Sequence, residues 1–356
     1  MILMNTNEYD IAKVAIELLE GDSPLVLASI ISLLGSSPRH HGTKMIVGSD
    51  GKGYGTIGGG LLEATTINEA RQVLLERRPR LMDFDLTGDG VDTKRMLCGG
   101  KAVVLLDYIP SARENAEFFR YWHDAVSNGQ DFYFLTLIED DHNGLNISGR
   151  LLLFPNDKVP GNSPLSVTQL ETVKAELSHI ASTTVIYLEN KRVVVDPIRR
   201  LKTLYCIGAG HVAVPTAKIA AMVDVRVVVI DDRPEFATTE RFPDADYVYV
   251  IEEFSRAFEG LEIDADSYIV IIARSHRFDR EVLEQALRTG AGYIGMISSR
   301  RKKEIIYKTL LEKGFKKEEL ERVHAPIGID IGGETPEEIA VSIVAQLIKA
   351  RASQPT

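Results

Sequence analysis

The sequence has few cysteines, one tryptophan and no long apolar run, and these scarcities exclude several classes of protein. Among 356 residues there are two cysteines, Cys98 and Cys206. So few cysteines argue against a disulfide framework, and without a CxxC pair the usual structural zinc sites are not expected. No segment approaches the ~18 consecutive apolar residues of a membrane-spanning helix. We therefore expect a protein of a reducing compartment that does not bind a membrane.

Basic residues are also fewer than acidic ones. Lys and Arg number 41 against 51 Asp and Glu, which gives a formal net charge of −10. An acidic balance of this kind argues against binding to nucleic acid or to an acidic membrane surface. The first residues, MILMNTNEYDIAKVAIELLEGD, carry acids where a signal peptide would carry basic residues. We expect a cytoplasmic protein.

The length and the change of pattern along the chain predict two domains. A chain of 356 residues exceeds the size of one ordinary hydrophobic core. Near residue 200 the segment DPIRRLK has the composition of a linker, and beyond it apolar strands alternate with helices, as in a parallel sheet covered on both faces. We predict an α/β protein with a mixed N-terminal domain over residues 1–198 and a Rossmann-like C-terminal domain over 199–356.

The stretch YCIGAGHVA places Gly208, Gly210 and Ala213 between a strand and a helix. In a dinucleotide-binding turn the first glycine permits the bend, the second lets a phosphate approach the backbone, and a small third residue allows close packing. Asp231 ends the next strand, about 20 residues further on, where such folds carry an acid for the ribose. The alternative is a Rossmann fold that binds another phosphate ligand or no nucleotide.

Two later strands also end in polar groups. Arg274 and His276 follow one strand, and Ser299 and Arg300 follow another. Ligands of open α/β sheets bind beyond the carboxyl ends of the strands, so both loops are candidates for one phosphate site. His276 is also a candidate acid or base. The alternative for these loops is helix capping by Ser299 and Asp279 with solvated arginines.

Two glycine-rich stretches of the N-terminal half are candidate anion sites. GSSPRHHGTKM brings Arg39 and Lys44 close in sequence around a proline turn. GTIGGGLLE places three glycines at a helix start, Gly58, Gly59 and Gly60. Successive backbone N–H groups at a helix start suit an anionic ligand, although a tight turn alone also explains the glycines.

The stretch MLCGG raises the question of a working thiol. Cys98 precedes Gly99 and Gly100 and has basic neighbours, which favour the thiolate form that binds soft metals. The alternative is a buried turn cysteine. Cys206 lies in an apolar strand, so we expect it to be a small buried hydrophobe.

These motifs together resemble the XdhC/CoxI family, the xanthine dehydrogenase accessory proteins. GSSPRHHGTKM, GTIGGGLLE and CGG have the order and approximate spacing of the family's first half, and IGAGHVA, VVVIDDRPEFA and APIGIDIGGETPEEIAVSIVAQLI resemble its Rossmann half. The resemblance runs from about residue 10 to about residue 350 and is least distinctive over 111–198. The loop ARSHRFD departs from the family pattern, because Ala273 and Ser275 replace a threonine and a glycine.

The resemblance implies a maturation factor for a molybdenum hydroxylase, without turnover of its own. Such a protein would bind the molybdenum cofactor, molybdopterin or its nucleotide form, support its sulfuration by a cysteine desulfurase, and insert it into the apo-enzyme. It implies Cys98 as a contact to molybdenum or to the incoming sulfur. We also expect a homodimer. The competing hypotheses are an NAD(P)-dependent oxidoreductase with His276 as acid or base, and a scaffold that only docks the desulfurase to the apo-enzyme.

Overall fold

The computed structural model describes residues 8–35, 42–85, 100–141, 144–155 and 163–353. The chain divides into two compact units, Met1–Arg200 and Leu201–Thr356. Within the described part of the chain, no helix combines the length and the apolar character needed to cross a membrane.

In its described residues, the first unit combines four helices with two antiparallel sheets. Its elements are, in chain order, α1 (Glu8–Glu20), β1 (Leu25–Gly35), β2 (Lys44–Gly48), β3 (Gly53–Gly55), α2 (Gly60–Glu76), β4 (Arg80–Asp85), β5 (Gly100–Ile109), α3 (Arg113–Ser127), β6 (Phe132–Asp141), β7 (Gly144–Leu153), α4 (Val167–Leu177), β8 (Thr184–Tyr187) and β9 (Arg192–Ile198). The N-terminal domain is therefore of the predicted mixed α/β type.

The first sheet has the strand order β3-β2-β1-β5-β4, and helix α2 packs on one of its faces. Alternating residues of β1, such as Val26 and Ala28, meet Leu62 and Val73 of α2 in one core. The intervening residues Leu25 and Leu27 face a second core on the opposite side of the sheet. Strand alternation thus gives the sheet two buried faces.

The second sheet has the order β7-β6-β9-β8 and shares that second core with the first. Helices α1 and α3 contribute buried side chains to it, including Phe119 and Trp122, and β6 contributes Phe132 and Phe134. Helix α4 covers the other face of the second sheet through Val173. One part of the space between the inner faces is therefore filled by two helices.

The predicted linker DPIRRLK is wrong in its first half. Asp196, Pro197 and Ile198 are the last residues of β9, and Ile198 pairs with Phe132 of β6. Proline and a charge suggested a linker, but the Asp196 carboxylate is buried and paired with a lysine from the first sheet. Tertiary pairing therefore keeps this segment in the strand.

The second unit alternates strands and helices. Its elements are β10 (Thr203–Ile207), α5 (Ala213–Met222), β11 (Arg226–Asp231), β12 (Tyr247–Val250), a short 3₁₀ helix (Phe254–Arg256), β13 (Ser267–Ile271), α6 (His276–Ala286), β14 (Tyr293–Met296), α7 (Arg300–Glu312), α8 (Lys317–Glu321), β15 (Val323–His324) and α9 (Pro336–Ser353).

The six strands of this unit are all parallel and have the order β12-β11-β10-β13-β14-β15. This is the Rossmann order 3-2-1-4-5-6, in which the topology reverses between the first and fourth strands, here β10 and β13. Helices α5 and α9 cover one face of the sheet, and α6 and α7 cover the other. The predicted α/β class and the Rossmann-like parallel sheet are both confirmed.

Candidate functional site

The described strands that border the three N-terminal motifs begin or end toward the same end of the five-stranded sheet. Gly35, the last residue of β1, pairs with Gly100, the first residue of β5. Asp85, the last residue of β4, pairs with the second residue of β5. Strand β2 begins at Lys44 and β3 ends at Gly55, both toward this same end of the sheet. Strands β1 and β5 extend several residues beyond them. Strands that border all three N-terminal motifs thus meet there.

The glycine turn before α2 has the unusual backbone that its composition predicts. Gly58, Gly59 and Gly60 have φ values of +134°, +71° and +59°, in the region that favours glycine. A Cβ built on Gly59 would meet nothing within 4 Å, so the space beside this turn is open. The Thr56 hydroxyl donates to the Glu63 carboxylate at 2.5 Å and accepts from the Gly58 N–H at 3.2 Å. Glu63 therefore supports the turn from within the helix.

Three of the predicted site residues, Arg39, Cys98 and Gly99, lie outside the described residues. Gly100 is described as the first residue of β5, in register with Gly35. The N-terminal candidates with a described position are thus the glycine turn, Gly100 and Lys44.

Lys44 is engaged inside the protein. Its side chain is almost fully buried and forms an ion pair with Asp196 of β9. Its ammonium group also donates to the Gly42 carbonyl at 2.8 Å and lies 5.7 Å from the centre of the Trp122 ring. The Thr183 hydroxyl donates to the same Asp196 carboxylate at 2.6 Å. This network joins the two sheets, so the Lys44 ammonium group already has partners within the protein.

The two glycines of the C-terminal turn have different surroundings. Gly208 has φ +114°, and a Cβ there would collide with the Ile272 carbonyl that follows β13. A Cβ on Gly210 would meet nothing within 4 Å. Ala213 is fully buried as the first residue of α5. The first glycine therefore permits close packing, while the second borders open space beside a helix start, where a phosphate would be stabilised.

Asp231 ends β11 as predicted, but the chain itself uses its carboxylate. One oxygen accepts from the Ala209 N–H at 2.7 Å, and both oxygens bind the Arg233 guanidinium. Burial alone would raise the pKa of Asp231, but the bonds from Arg233 and from backbone N–H groups outweigh burial and lower it. Asp231 is only 1% exposed. A ribose would have to displace Arg233, so this geometry does not favour the predicted ribose contact.

Arg274 reaches across the sheet to Asp232. The guanidinium binds both carboxylate oxygens, with Nη2 to Oδ2 at 2.7 Å, and lies over the Phe278 ring at 4.5 Å. Asp232 follows β11 and Arg274 follows β13, and β10 lies between these two strands. The pair therefore spans the carboxyl end of β10, where Gly208 begins its turn. The bond to Asp232 raises the pKa of Arg274, so the guanidinium remains charged.

Helices α6 and α7 both begin at this edge of the sheet. Ser275 caps α6 by accepting from the Phe278 N–H at 3.4 Å, and Ser299 caps α7 by accepting from the Lys302 N–H at 3.2 Å. The capping role considered for Ser299 is thus confirmed. His276 and Arg300 are the first residues of the two helices. The predicted loops therefore contribute two helix N-termini to the carboxyl edge.

Beneath these loops lies an ion pair that the sequence did not reveal. Asp279 of α6 is fully buried, pairs with Lys302 of α7 and accepts from the Ala273 N–H at 3.1 Å. Burial raises the pKa of Asp279, and Lys302 opposes that shift only in part. Lys302 also donates to the Ile297 carbonyl at 3.1 Å. The pair fixes the loop after β13 against the loop after β14. The sequence offered Asp279 only as a helix cap, but the cap of α6 is Ser275.

Cys206 is the buried hydrophobe expected from its strand. It is 0% exposed in β10, and burial raises the pKa of its thiol to about 12. The side chain therefore stays protonated at neutral pH. Among the described residues there is no group of three or more His, Cys, Asp or Glu side chains placed to hold a metal ion.

The fold and these turns define a class of protein: a two-unit α/β chain with an antiparallel first unit and a Rossmann-type second unit. Family models agree with both halves. The XdhC and CoxI family model matches residues 18–85, and the XdhC Rossmann domain model matches residues 204–347. Together they cover more than half of the chain, which belongs to the XdhC and CoxI family.

Curated relatives match nearly the whole chain. The uncharacterized protein YqeB of Escherichia coli is 28% identical over 96% of this chain, but the chain spans only 46% of that relative. A Bacillus subtilis protein named as a probable xanthine dehydrogenase subunit is 26% identical, with 94% of this chain and 95% of that protein covered. The molybdenum cofactor insertion chaperone PaoD of Escherichia coli is 21% identical, with coverages of 97% and 89%.

A solved structure extends the agreement to three dimensions. The crystal structure of a xanthine dehydrogenase from Bacillus halodurans superimposes with a TM-score of 0.80 at 26% sequence identity. The match covers 99% of this chain and 97% of that one. The structural similarity thus extends over nearly the whole length of both chains.

Proposed function

We propose that this protein is an accessory factor that binds the molybdenum cofactor as cargo and delivers it to a molybdenum hydroxylase of the xanthine dehydrogenase type. The observation that carries the proposal is the convergence of the strands bordering all three N-terminal motifs at one end of a single sheet. Relatives named for cofactor insertion and for xanthine dehydrogenase support the same function.

The chemistry of the described turns suits such a cargo. Molybdopterin carries a phosphate, and the open turn at Gly58–Gly60 offers backbone N–H groups at the start of a long helix. In the proposed arrangement these groups bind the anionic end of the cofactor. Arg39 and Cys98 would contribute a cation and a soft sulfur ligand for molybdenum.

The second unit would bind a nucleotide form of the same cofactor. Gly210 borders open space beside the start of α5, and Arg274, Ser299 and Arg300 lie on loops at the same carboxyl edge of the sheet. Handover would include sulfuration by a cysteine desulfurase, and the factor would act as a homodimer. Each of these steps is part of the proposal.

The deciding experiment is anaerobic purification from cells that make the molybdenum cofactor, followed by metal analysis and mass spectrometry of the bound pterin. We expect molybdenum and pterin in equal amounts, and restoration of activity to an apo-hydroxylase. Protein that carries neither and restores nothing would refute the proposal.

An NAD(P)-dependent oxidoreductase is the second candidate, since the strand order and Gly210 fit a dinucleotide fold. The engagement of Asp231 by Arg233 counts against it. Titration with NADH and NADPH, followed by nicotinamide fluorescence, separates the two candidates. Saturable binding with hydride transfer would favour the oxidoreductase.

A further inference from the structure

The first unit contains a cavity that none of the candidate residues lines. It has a volume of about 410 Å³. Its apolar wall consists of five side chains from both sheets, namely Ile31, Leu81, Val103, Ile138 and Val185. Small-molecule sites in proteins typically occupy roughly 300–1,000 Å³ and are mostly apolar with a few polar groups. The cavity is therefore of the size of a ligand site, and its lining is about half apolar and half polar.

The cavity exists because α1 and α3 fill only one part of the space between the sheets. In the remaining part, a small core of Ile31, Leu105, Ile138 and Val194 is buried. Other apolar side chains there, including Val185, are only partly buried. The pairing of β1 shifts at Ile31, and that of β6 shifts beside Ile138. Such bulges bend a strand locally and are common beside binding sites.

The polar rim of the cavity is suited to a flat heteroaromatic ring. Ser32 and Thr184 bring hydroxyl groups, the Thr183 hydroxyl already donates to Asp196, and Tyr187, which is 77% exposed, brings an aromatic ring. Arg192 adds a cation, held by both oxygens of a neighbouring aspartate at 2.8 Å. None of the described lining residues carries a carboxylate. Hydroxyls and an aromatic ring around an apolar slot can bind both the edge and the faces of such a ring.

The cavity also lies along the strands that lead to the motif-bearing loops. Ser32 of β1 pairs with Val103 of β5, and further along the same strands Gly35 pairs with Gly100. At the other wall, the Thr183 hydroxyl binds Asp196, which is the partner of Lys44. The cavity is therefore connected on both sides to segments that carry the family motifs.

We propose that this cavity holds the pterin ring of the cargo, while the motif-bearing end of the sheet holds its phosphate and molybdenum. The inference rests on the proposed function and adds a second site to it. The cofactor has two chemically different ends, and a glycine turn suits only the anionic one. An apolar slot with hydroxyls at its rim suits the flat, hydrogen-bonding ring.

Filling the cavity provides the test. Val185→Trp places a large ring in the slot from a partly buried position of an edge strand. Val167→Trp is the matched control, because Val167 begins α4 and is 75% exposed. Biopterin is the probe, and its fluorescence is titrated against each purified protein. We expect Val185→Trp to weaken biopterin binding at least tenfold and Val167→Trp to leave it unchanged.

The cofactor content of the same variants separates this inference from the proposed function. If Val185→Trp binds biopterin and retains the cofactor as well as the parent does, the cavity assignment is wrong although the chaperone function stands. A different result is that the parent carries no cofactor but binds biopterin, and that Val185→Trp abolishes this binding. The pterin site then stands and the proposed function fails. If GMP displaces biopterin at the same concentration as unlabelled biopterin does, the site binds purines in general, and the assignment to pterin is wrong.

Hydrogen–deuterium exchange on the unmodified chain keeps the test decisive if Val185→Trp does not fold. Biopterin should slow amide exchange in β4, β5 and β8, which contribute Leu81, Val103 and Val185 to the wall. Protection confined to residues 201–353 would place the pterin in the other unit and refute the inference.

Discussion

Arg274 and Asp232 form a two-bond ion pair that spans the carboxyl end of β10, although they follow strands on either side of it. The turn beneath this pair begins at Gly208, at the topological switch point where Rossmann folds bind their ligands. We expect a phosphate bound at Gly210 to compete with Asp232 for the Arg274 guanidinium, so that the ion pair would weaken anion binding at this edge.

We expect Arg274→Ala to weaken binding of a nucleotide phosphate by about 10- to 100-fold, because a charge-assisted bond contributes roughly 1.5–3 kcal/mol. Asp232→Asn should bind the same nucleotide more tightly, since Arg274 is released from its partner. Calorimetric titration with CDP and GDP measures both variants. Equal affinities for the parent, Arg274→Ala and Asp232→Asn would remove Arg274 from the site.

Two alanine substitutions in the same turn should differ, because one should lower stability and the other should abolish nucleotide binding. Gly208→Ala should lower the free energy of unfolding by about 2 kcal/mol or more, because its φ is +114° and its Cβ meets the Ile272 carbonyl. Gly210→Ala should change it by less than about 1 kcal/mol, because its Cβ enters open space. Urea denaturation measures both. Nucleotide binding should be lost in Gly210→Ala, and unchanged binding would show that no phosphate approaches this backbone.

Lys44→Met tests whether this lysine stabilises the fold. Removal of one partner of a buried pair typically costs about 3–5 kcal/mol, because the other charge remains buried and unpaired. We expect the free energy of unfolding to fall by that amount in Lys44→Met, because Asp196 stays buried without its partner. Urea denaturation measures the change. The double variant Lys44→Met/Asp196→Val should recover most of the stability. If instead Lys44→Met is as stable as the parent but loses the cofactor, Lys44 acts as an anion contact.

His324 should make stability dependent on pH near neutrality. Partial burial lowers its pKa below the ordinary 6.5, although the residue as a whole is exposed, and its ring stacks on Tyr293 with centres 4.6 Å apart. The unfolded chain therefore binds a proton first as the pH falls through 6.5, so stability is complete above that pH and decreases below it. His324→Phe keeps the stacking and should reduce the fall in melting temperature between about pH 7.5 and about pH 5.5. Identical pH profiles would contradict this.

The two cysteines should respond differently to serine. Cys98→Ser should fold normally but lose cofactor retention or sulfuration, because a hydroxyl is a poor ligand for a soft metal. Cys206→Ser should affect stability alone, by about 1–3 kcal/mol, because it buries a hydroxyl in β10. Molybdenum content and melting temperature measure the two effects. A Cys98→Ser protein that matures its client as well as the parent does would refute a working thiol.

The local patterns of the chain determined the fold class and the family. Alternating and continuous apolar runs predicted the strands, and glycines predicted turns whose φ values are positive at Gly58–Gly60 and at Gly208. These features depend on backbone conformation and on neighbours close in sequence, so one sequence is enough to recognise them. The motifs in order also predicted the family that the comparisons confirm.

Only the tertiary structure decided which charged groups are already engaged. Lys44 pairs with Asp196 from another sheet, and Arg274 pairs with Asp232 across an intervening strand. An ionic partner distant in sequence leaves no periodic signal, so a lysine near a glycine turn has the same local pattern whether it is buried or exposed. The cavity at Val185 arises in the same way, because two sheets and the limited reach of α1 and α3 create it.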